Sequence, residues 1–194
     1  MKSFHYTKFP FLLVFILIIS CSRYSNVIRT YPDEFKGTTK HILQQTVAPE
    51  GRRSPVGAAY LTYEKEVNAS KSADFNVYFV FTRGTTTFDI DKKGFLKIGE
   101  NKFELETKSM QSELKSGENN STTTVSDSTG TKTVMSSETV HWINDKFKVA
   151  FSEQMIESLK RNSSMVFQFY SGPVPVRLKI ENKKMQKLQQ LIAL

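Results

Sequence analysis

The stretch Asp74-Phe-Asn-Val-Tyr-Phe-Val-Phe-Thr82 decides the fold of this chain. Phe75, Val77, Phe79 and Phe81 occupy every second position in it. Successive side chains of a β-strand point to opposite faces, so this spacing places four large apolar groups on one face. The stretch predicts a strand with one buried face, in a protein whose core is rich in aromatic side chains.

Alternation of this kind recurs along the chain from residue 57 onward. It predicts further strands at 59–63, 86–91, 95–98, 102–107, 139–151 (with a turn near Asn144-Asp145), 165–169 and 174–180. Many short strands separated by turn residues are typical of an antiparallel sandwich. We therefore expect an α+β, mainly β fold, an antiparallel β-sandwich-like domain formed by residues 57–194.

Two helices are predicted in the last third of the chain. Ser152 suits the N-cap position and Glu153 the first turn, which predicts a short helix near 152–161. Met185, Leu188 and Leu191 recur at helical spacing, which predicts a C-terminal helix near 182–193.

Two segments are too polar to form a core. Residues 116–137 are almost all Ser, Thr, Asn, Gly and charged residues, which predicts either a mobile loop or, because Thr favours strands, a projecting polar hairpin. Residues 21–56 contain few clustered apolar residues and several Pro and Gly, which predicts a flexible tether.

The N-terminal region has the composition of an export signal. Lys2 and Lys8 precede the apolar run Phe11–Ile19, and small polar residues follow. A membrane-spanning helix needs about 20 apolar residues, and this run is roughly half that length. We interpret residues 1–20 as a signal peptide, with an uncleaved membrane anchor as the alternative.

Cys21 is the only cysteine of the chain, so it has no partner for an internal disulfide. It directly follows the apolar run, with Ser20 before it. In this respect the chain resembles bacterial lipoprotein precursors, whose lipobox ends in a small residue and the modified cysteine. Ile18 and Ile19 make the motif a relaxed one, similar to those of spirochaetes.

The resemblance implies that Cys21 carries a lipid, with palmitate among its acyl chains, and that the membrane is a partner through this lipid. Ser22 stands where the inner-membrane retention signal of enteric lipoproteins has Asp. The resemblance therefore implies the bacterial outer membrane or the cell surface. A plain signal peptide that happens to end near a cysteine is the alternative.

The chain is basic. Its formal charge is +8, and loss of Lys2 and Lys8 with an acid-free signal would leave +6. Arg177 and Lys179 project from the outer face of the last predicted strand, which makes them a candidate contact surface. The expected partners are an envelope protein, a host protein or a polysaccharide, and not nucleic acid, because the chain is exported.

The sequence contains no arrangement typical of catalysis or of a metal site. His5, His41 and His141 do not stand at metal-ligand spacing, and no phosphate-binding glycine loop is present. We expect no catalysis, no cofactor and no metal. The predicted function is a lipid-anchored cell-envelope protein of structural or interaction type.

The alternative is a small-ligand carrier or an enzyme whose site is assembled from residues distant in sequence. A deep pocket lined by convergent polar groups would favour this alternative, and a packed interior would count against it.

Overall fold

The computed structural model describes residues 25–68, 73–127 and 130–194. Cys21 and the predicted signal peptide lie outside these residues. In chain order the described residues form β1 (Ser25–Asp33), β2 (Thr38–Val47), β3 (Val56–Asn68), β4 (Ala73–Gly84), β5 (Lys93–Ile98), β6 (Asn101–Glu106), β7 (Lys108–Asp127), β8 (Gly130–Ala150), α1 (Glu153–Arg161), β9 (Ser164–Ser171), β10 (Val174–Glu181) and α2 (Asn182–Ala193).

The strands form two antiparallel sheets. The large sheet has six strands in the order β1-β2-β3-β4-β8-β7, and the small sheet has four in the order β10-β9-β5-β6. Both helices begin and end close to their predicted limits. The predicted α+β, mainly β, sandwich-like fold is confirmed.

A cluster of phenylalanine rings joins the two sheets. The ring centroid of Phe79, on β4, lies 4.9 Å from that of Phe147 on the neighbouring strand β8. It also lies 5.1 Å from the ring of Phe167 and 5.2 Å from that of Phe169, both on β9 of the small sheet. These four rings are at most 3% exposed. Aromatic pairs at such separations contribute about 0.5–1.5 kcal/mol each beyond the area they bury.

The first helix is held by a side-chain cap at its start, and the second by a contact with the large sheet at its end. The Ser152 hydroxyl accepts a hydrogen bond from the backbone N–H of Met155, at the start of α1. At the other end of the chain, the Lys65 ammonium donates to the Ile192 carbonyl in the last turn of α2. A cation at this position favours the helix because the carbonyl end of a helix carries partial negative charge.

The structure corrects the predicted tether over residues 21–56. β1 and β2 lie within this range, and β2 pairs with β3 along its whole length, from Thr38 opposite Asn68 to Val47 opposite Ala59. Leu43 and Val47 are buried. The edge strand β1 and its neighbour β2 are covered on only part of one face, chiefly by α2. They therefore need few apolar residues, and for this reason their composition resembles that of a tether.

Two further local predictions are wrong. Residues 86–91 form no strand, and only an isolated bridge joins Ile90 to Ser171. The expected turn near Asn144-Asp145 is also absent, because β8 runs unbroken through both residues. The carboxylate of Asp145 is buried against Arg83, so this polar residue is accommodated inside a strand.

Residues 116–127 and 130–137 lie in paired antiparallel strands, which agrees with the hairpin, one of the two alternatives that their composition left open. β7 and β8 are paired as far as Asp127 opposite Gly130, whereas β4 accompanies β8 only as far as Gly84 opposite Trp142. Past this pair the described part of β8 has β7 as its single neighbour. We call residues 116–127 and 130–141 the polar ribbon. Its length is about 40 Å, at about 3.3 Å for each of its residue pairs.

Candidate contact surface on the small sheet

The outward face of the small sheet carries the candidate contact surface. Register places Lys179 opposite Val166, Val166 opposite Lys97, and Lys97 opposite Lys102, which makes one row across β10, β9, β5 and β6. Neighbouring strands are about 4.8 Å apart, so the row is about 14 Å long. Three of its four members are lysines.

A second row runs beside the first. Arg177 lies opposite Gln168, Gln168 opposite Phe95, and Phe95 opposite Glu104. The residues between these positions, such as Leu96 and Phe167, point into the core and are fully buried. The two rows therefore stand on a rigid, packed layer.

Lys97 and Lys102 are directly opposite each other, an arrangement of like charges that destabilises a sheet. Part of this cost is offset because the Lys102 ammonium lies 3.9 Å from the centroid of the Phe95 ring. Such a contact contributes about 0.5–1 kcal/mol at an exposed site. Among the described residues, neither lysine forms an ion pair with a carboxylate.

Arg177 is held in place by a chain of hydrogen bonds. Its Nε donates to Oε1 of Gln168 at 2.8 Å, and Nε2 of Gln168 donates to the Tyr170 hydroxyl. The backbone N–H of Glu50 donates to the Arg177 carbonyl at 2.8 Å, which ties the loop after β2 to β10. Within the described residues the other guanidinium N–H groups of Arg177 form no hydrogen bond or ion pair.

These residues enclose an open groove of about 360 Å³, which we call the basic groove. Phe95 and Val166 supply its apolar floor, and Glu50 is the one acidic residue of its lining. Its lining residues are Glu50, Phe95, Lys97, Lys102, Val166, Gln168 and Arg177.

The structure separates the two residues that the sequence proposed as a contact surface. Both project from the outer face of β10, but only Arg177 lines the basic groove. Lys179 forms an ion pair with Glu181 at 2.7 Å and borders a neighbouring groove of about 460 Å³ near α2. The hydrogen bond to Glu181 raises the pKa of the Lys179 ammonium above its ordinary value.

Sequence reasoning missed Phe95, Lys97, Lys102 and Gln168. The alternation within β5 places Phe95 and Lys97 on one face, and this local signal was available. Their approach to Arg177 depends on the pairing of β5 with β9, which joins Lys97 to Val166, and no pattern within either strand specifies that pairing.

Comparison with protein-family models, with curated proteins and with solved structures finds no match to this chain. No helix within residues 25–68, 73–127 and 130–194 has the length and apolar character needed to cross a membrane. The same residues contain no group of three or more His, Cys, Asp or Glu arranged to hold a metal ion.

Proposed function

We propose that this protein is a lipid-anchored cell-envelope protein of interaction type, which binds its partner through the outward face of the small sheet. The observation that carries the proposal is the basic groove. It gathers Lys97, Lys102 and Arg177 over an apolar floor, on a face that no other described element covers. Charged side chains that lack carboxylate partners in the free protein are available to a ligand.

The packed interior favours this proposal over a carrier with an internal site. The space between the sheets is filled by buried rings such as Phe79, Phe147 and Phe167. The basic groove, in contrast, is open to solvent and lies on the opposite side of the small sheet from this core. A partner therefore reaches it from outside.

The anchor is proposed from the apolar run Phe11–Ile19 and the Ser20-Cys21 pair that follows it. β1 begins at Ser25, so only residues 22–24 separate it from Cys21. A chain extends by at most about 3.6 Å per residue, so the four steps from Cys21 to Ser25 span about 14 Å. The lipid would thus hold the domain close to the membrane surface.

Fatty-acid labelling tests the anchor. Cells that express the full chain and grow with a radioactive fatty acid should label the wild-type protein and the Ser22→Ala variant equally. Cys21→Ser should lose the label and move from the detergent phase to the aqueous phase on phase separation. Label retained in Cys21→Ser would refute lipid attachment at this residue.

A further inference from the structure

The basic groove combines two kinds of surface that its ligand must match. Lys97, Lys102 and Arg177 supply positive charge, and the half-buried Phe95 ring and Val166 supply an apolar floor. A ligand of charge alone would leave the floor unused. A ligand of apolar character alone would leave three cations desolvated and unpaired, which is unfavourable.

We infer that the basic groove binds the acidic sugar residues of a polysaccharide, with a ring carboxylate between the cations and the C–H face of the sugar on Phe95. The inference rests on the proposed function of this face as the contact surface and names the chemistry of the partner. A six-membered sugar acid presents an apolar C–H face and a carboxylate on one rigid ring, and the groove presents the complement of both.

Two of the cations, Lys97 and Lys102, are placed to meet at one carboxylate. Cβ atoms of directly opposed residues such as Lys97 and Lys102 are about 5 Å apart, which their four-carbon stems bridge easily. Arg177 lies on β10, beyond β9, and is already oriented by its hydrogen bond to Gln168. Hydrogen bonds from charged donors to a carboxylate are about twice as strong as neutral ones.

Lys102 also couples the two halves of the site. In the free protein its ammonium lies over the Phe95 ring. When Lys102 turns to a ligand carboxylate, it uncovers the ring face for the sugar. The repulsion between the directly opposed Lys97 and Lys102 is unfavourable in the free protein. An anion bound between them would attract both lysines and remove this cost.

The lining of the groove reaches from Arg177 on β10 to Lys102 on β6, three strand spacings or about 14 Å, which exceeds a single sugar ring and suits a segment of a chain. For this reason we assign it to a polymer rather than to a free sugar acid.

Three soluble polymers distinguish the ligand classes. Full-length mature protein in detergent micelles should bind polygalacturonate, measured by isothermal titration at about 0.15 M salt, where charges about 8 Å apart are already screened. Binding should fall at least about 10-fold for fully methyl-esterified polygalacturonate, which keeps the rings and loses the carboxylates. Poly-L-glutamate, which has the carboxylates without the rings, should also bind at least about 10-fold more weakly than polygalacturonate.

A matched pair of variants locates the site. The double variant Lys97→Ala and Lys102→Ala should lower the affinity for polygalacturonate at least about 10-fold, whereas Lys183→Ala with Lys187→Ala, an equal loss of charge on α2, should change it less than about 2-fold. All four lysines lie on the surface, and circular dichroism checks that both variants remain folded.

Two results would overturn the inference. Equal binding of poly-L-glutamate and polygalacturonate would assign the face to acidic proteins, and equal losses in the two double variants would mean that net charge alone attracts the polymer. The anchor is tested independently, because Cys21→Ser should bind polygalacturonate like the wild type, and a protein that fails to bind it would still incorporate fatty acid.

Discussion

A buried ion pair between Arg83 and Asp145 links two neighbouring strands of the large sheet. Their side chains are 2% and 1% exposed, and Nε of Arg83 lies 2.5 Å from Oδ2 of Asp145. The Ser112 hydroxyl donates to the other carboxylate oxygen at 2.6 Å, and Nη1 of Arg83 donates to the Thr87 carbonyl at 2.9 Å. The pair therefore fastens the loop after β4 and the edge strand β7 to β8.

The variant Asp145→Ala should destabilise the protein by about 3–5 kcal/mol, because it removes the buried partner of the Arg83 charge and leaves only the exposed carboxylate of Asp89. Urea unfolding at neutral pH measures this loss. Asp89→Ala is the matched control, since Asp89 also pairs with Arg83 but its side chain is 88% exposed, and it should cost about 1 kcal/mol or less. A loss no larger for Asp145→Ala than for Asp89→Ala would show that the pair is not effectively buried.

Residues of the core were predictable from sequence, whereas this ion pair was not. The spacing of Phe75, Phe79 and Phe81 is a local signal, and all three are buried as predicted. Asn144-Asp145 has the composition of a turn, and only a partner 62 positions away makes its burial in a strand favourable. Single-sequence patterns contain no information on such a partner.

At the level of elements, the polar ribbon differs from the other strands because packing contributes little to it. Most of the side chains described in it are solvent-exposed, including Met135 at 83%. An isolated two-stranded hairpin is marginally stable in water. At the base of the ribbon the Trp142 ring packs directly on the backbone of Gly117. A Cβ atom at Gly117 would lie only 3.1 Å from this ring, so a larger residue would not fit there without a shift.

Replacement of residues 118–139 by Asn-Gly should leave the domain folded, with a midpoint of thermal unfolding within about 4 °C of the wild type, the shift that about 1 kcal/mol causes in a domain of this size. The new turn would join Gly117 to Val140, which are paired as Asp127 and Gly130 are. The pair Gly117–Val140 and the pair Asp127–Gly130 are an even number of positions apart along the ladder, so both are of the same type, hydrogen-bonded or non-hydrogen-bonded. Asn-Gly is a favoured sequence for a two-residue hairpin turn.

Trp142 is the only tryptophan of the chain and lies at the base of the ribbon, so its fluorescence reports on the junction. Its emission maximum should shift little in the shortened variant. Loss of cooperative unfolding, or emission typical of a fully exposed indole, would mean that the ribbon contributes to the fold of the large sheet.

For the molecule as a whole, the class of fold was predictable, and the extent of the domain was not. Strand alternation and the Ser152 cap are local signals, and they were sufficient for the sandwich and both helices. The order of strands and the basic groove depend on contacts between distant segments, such as β5 with β9 and β2 with β3. The domain also begins earlier than its apolar composition indicates, because α2 covers β1 and β2 only in part.

A chain that begins at Gly57 should therefore fail to fold cooperatively, whereas a chain that begins at Ser25 should unfold with the same midpoint as the mature protein. The shorter chain loses the ladder between β2 and β3 and the burial of Leu43 and Val47. Burial of each such side chain contributes about 1.5–3 kcal/mol, and the total stability of a domain is about 5–15 kcal/mol.

The removal also uncovers the long edge of β3 and takes away part of the surface on which α2 packs, including the hydrogen bond from Nε2 of Gln45 to the Lys184 carbonyl at 2.9 Å. Thermal unfolding followed by circular dichroism compares the two chains. Cleavage by trypsin in the exposed Arg52-Arg53 loop is the control, because it breaks the chain between β2 and β3 without removing any residue. The cleaved β1–β2 fragment should stay bound to the rest of the domain under native conditions. If the chain beginning at Gly57 unfolded cooperatively near the wild-type midpoint, β1 and β2 would be an appended hairpin that the core does not need. Residues 22–56 would then act as a long tether between a lipid at Cys21 and the folded core.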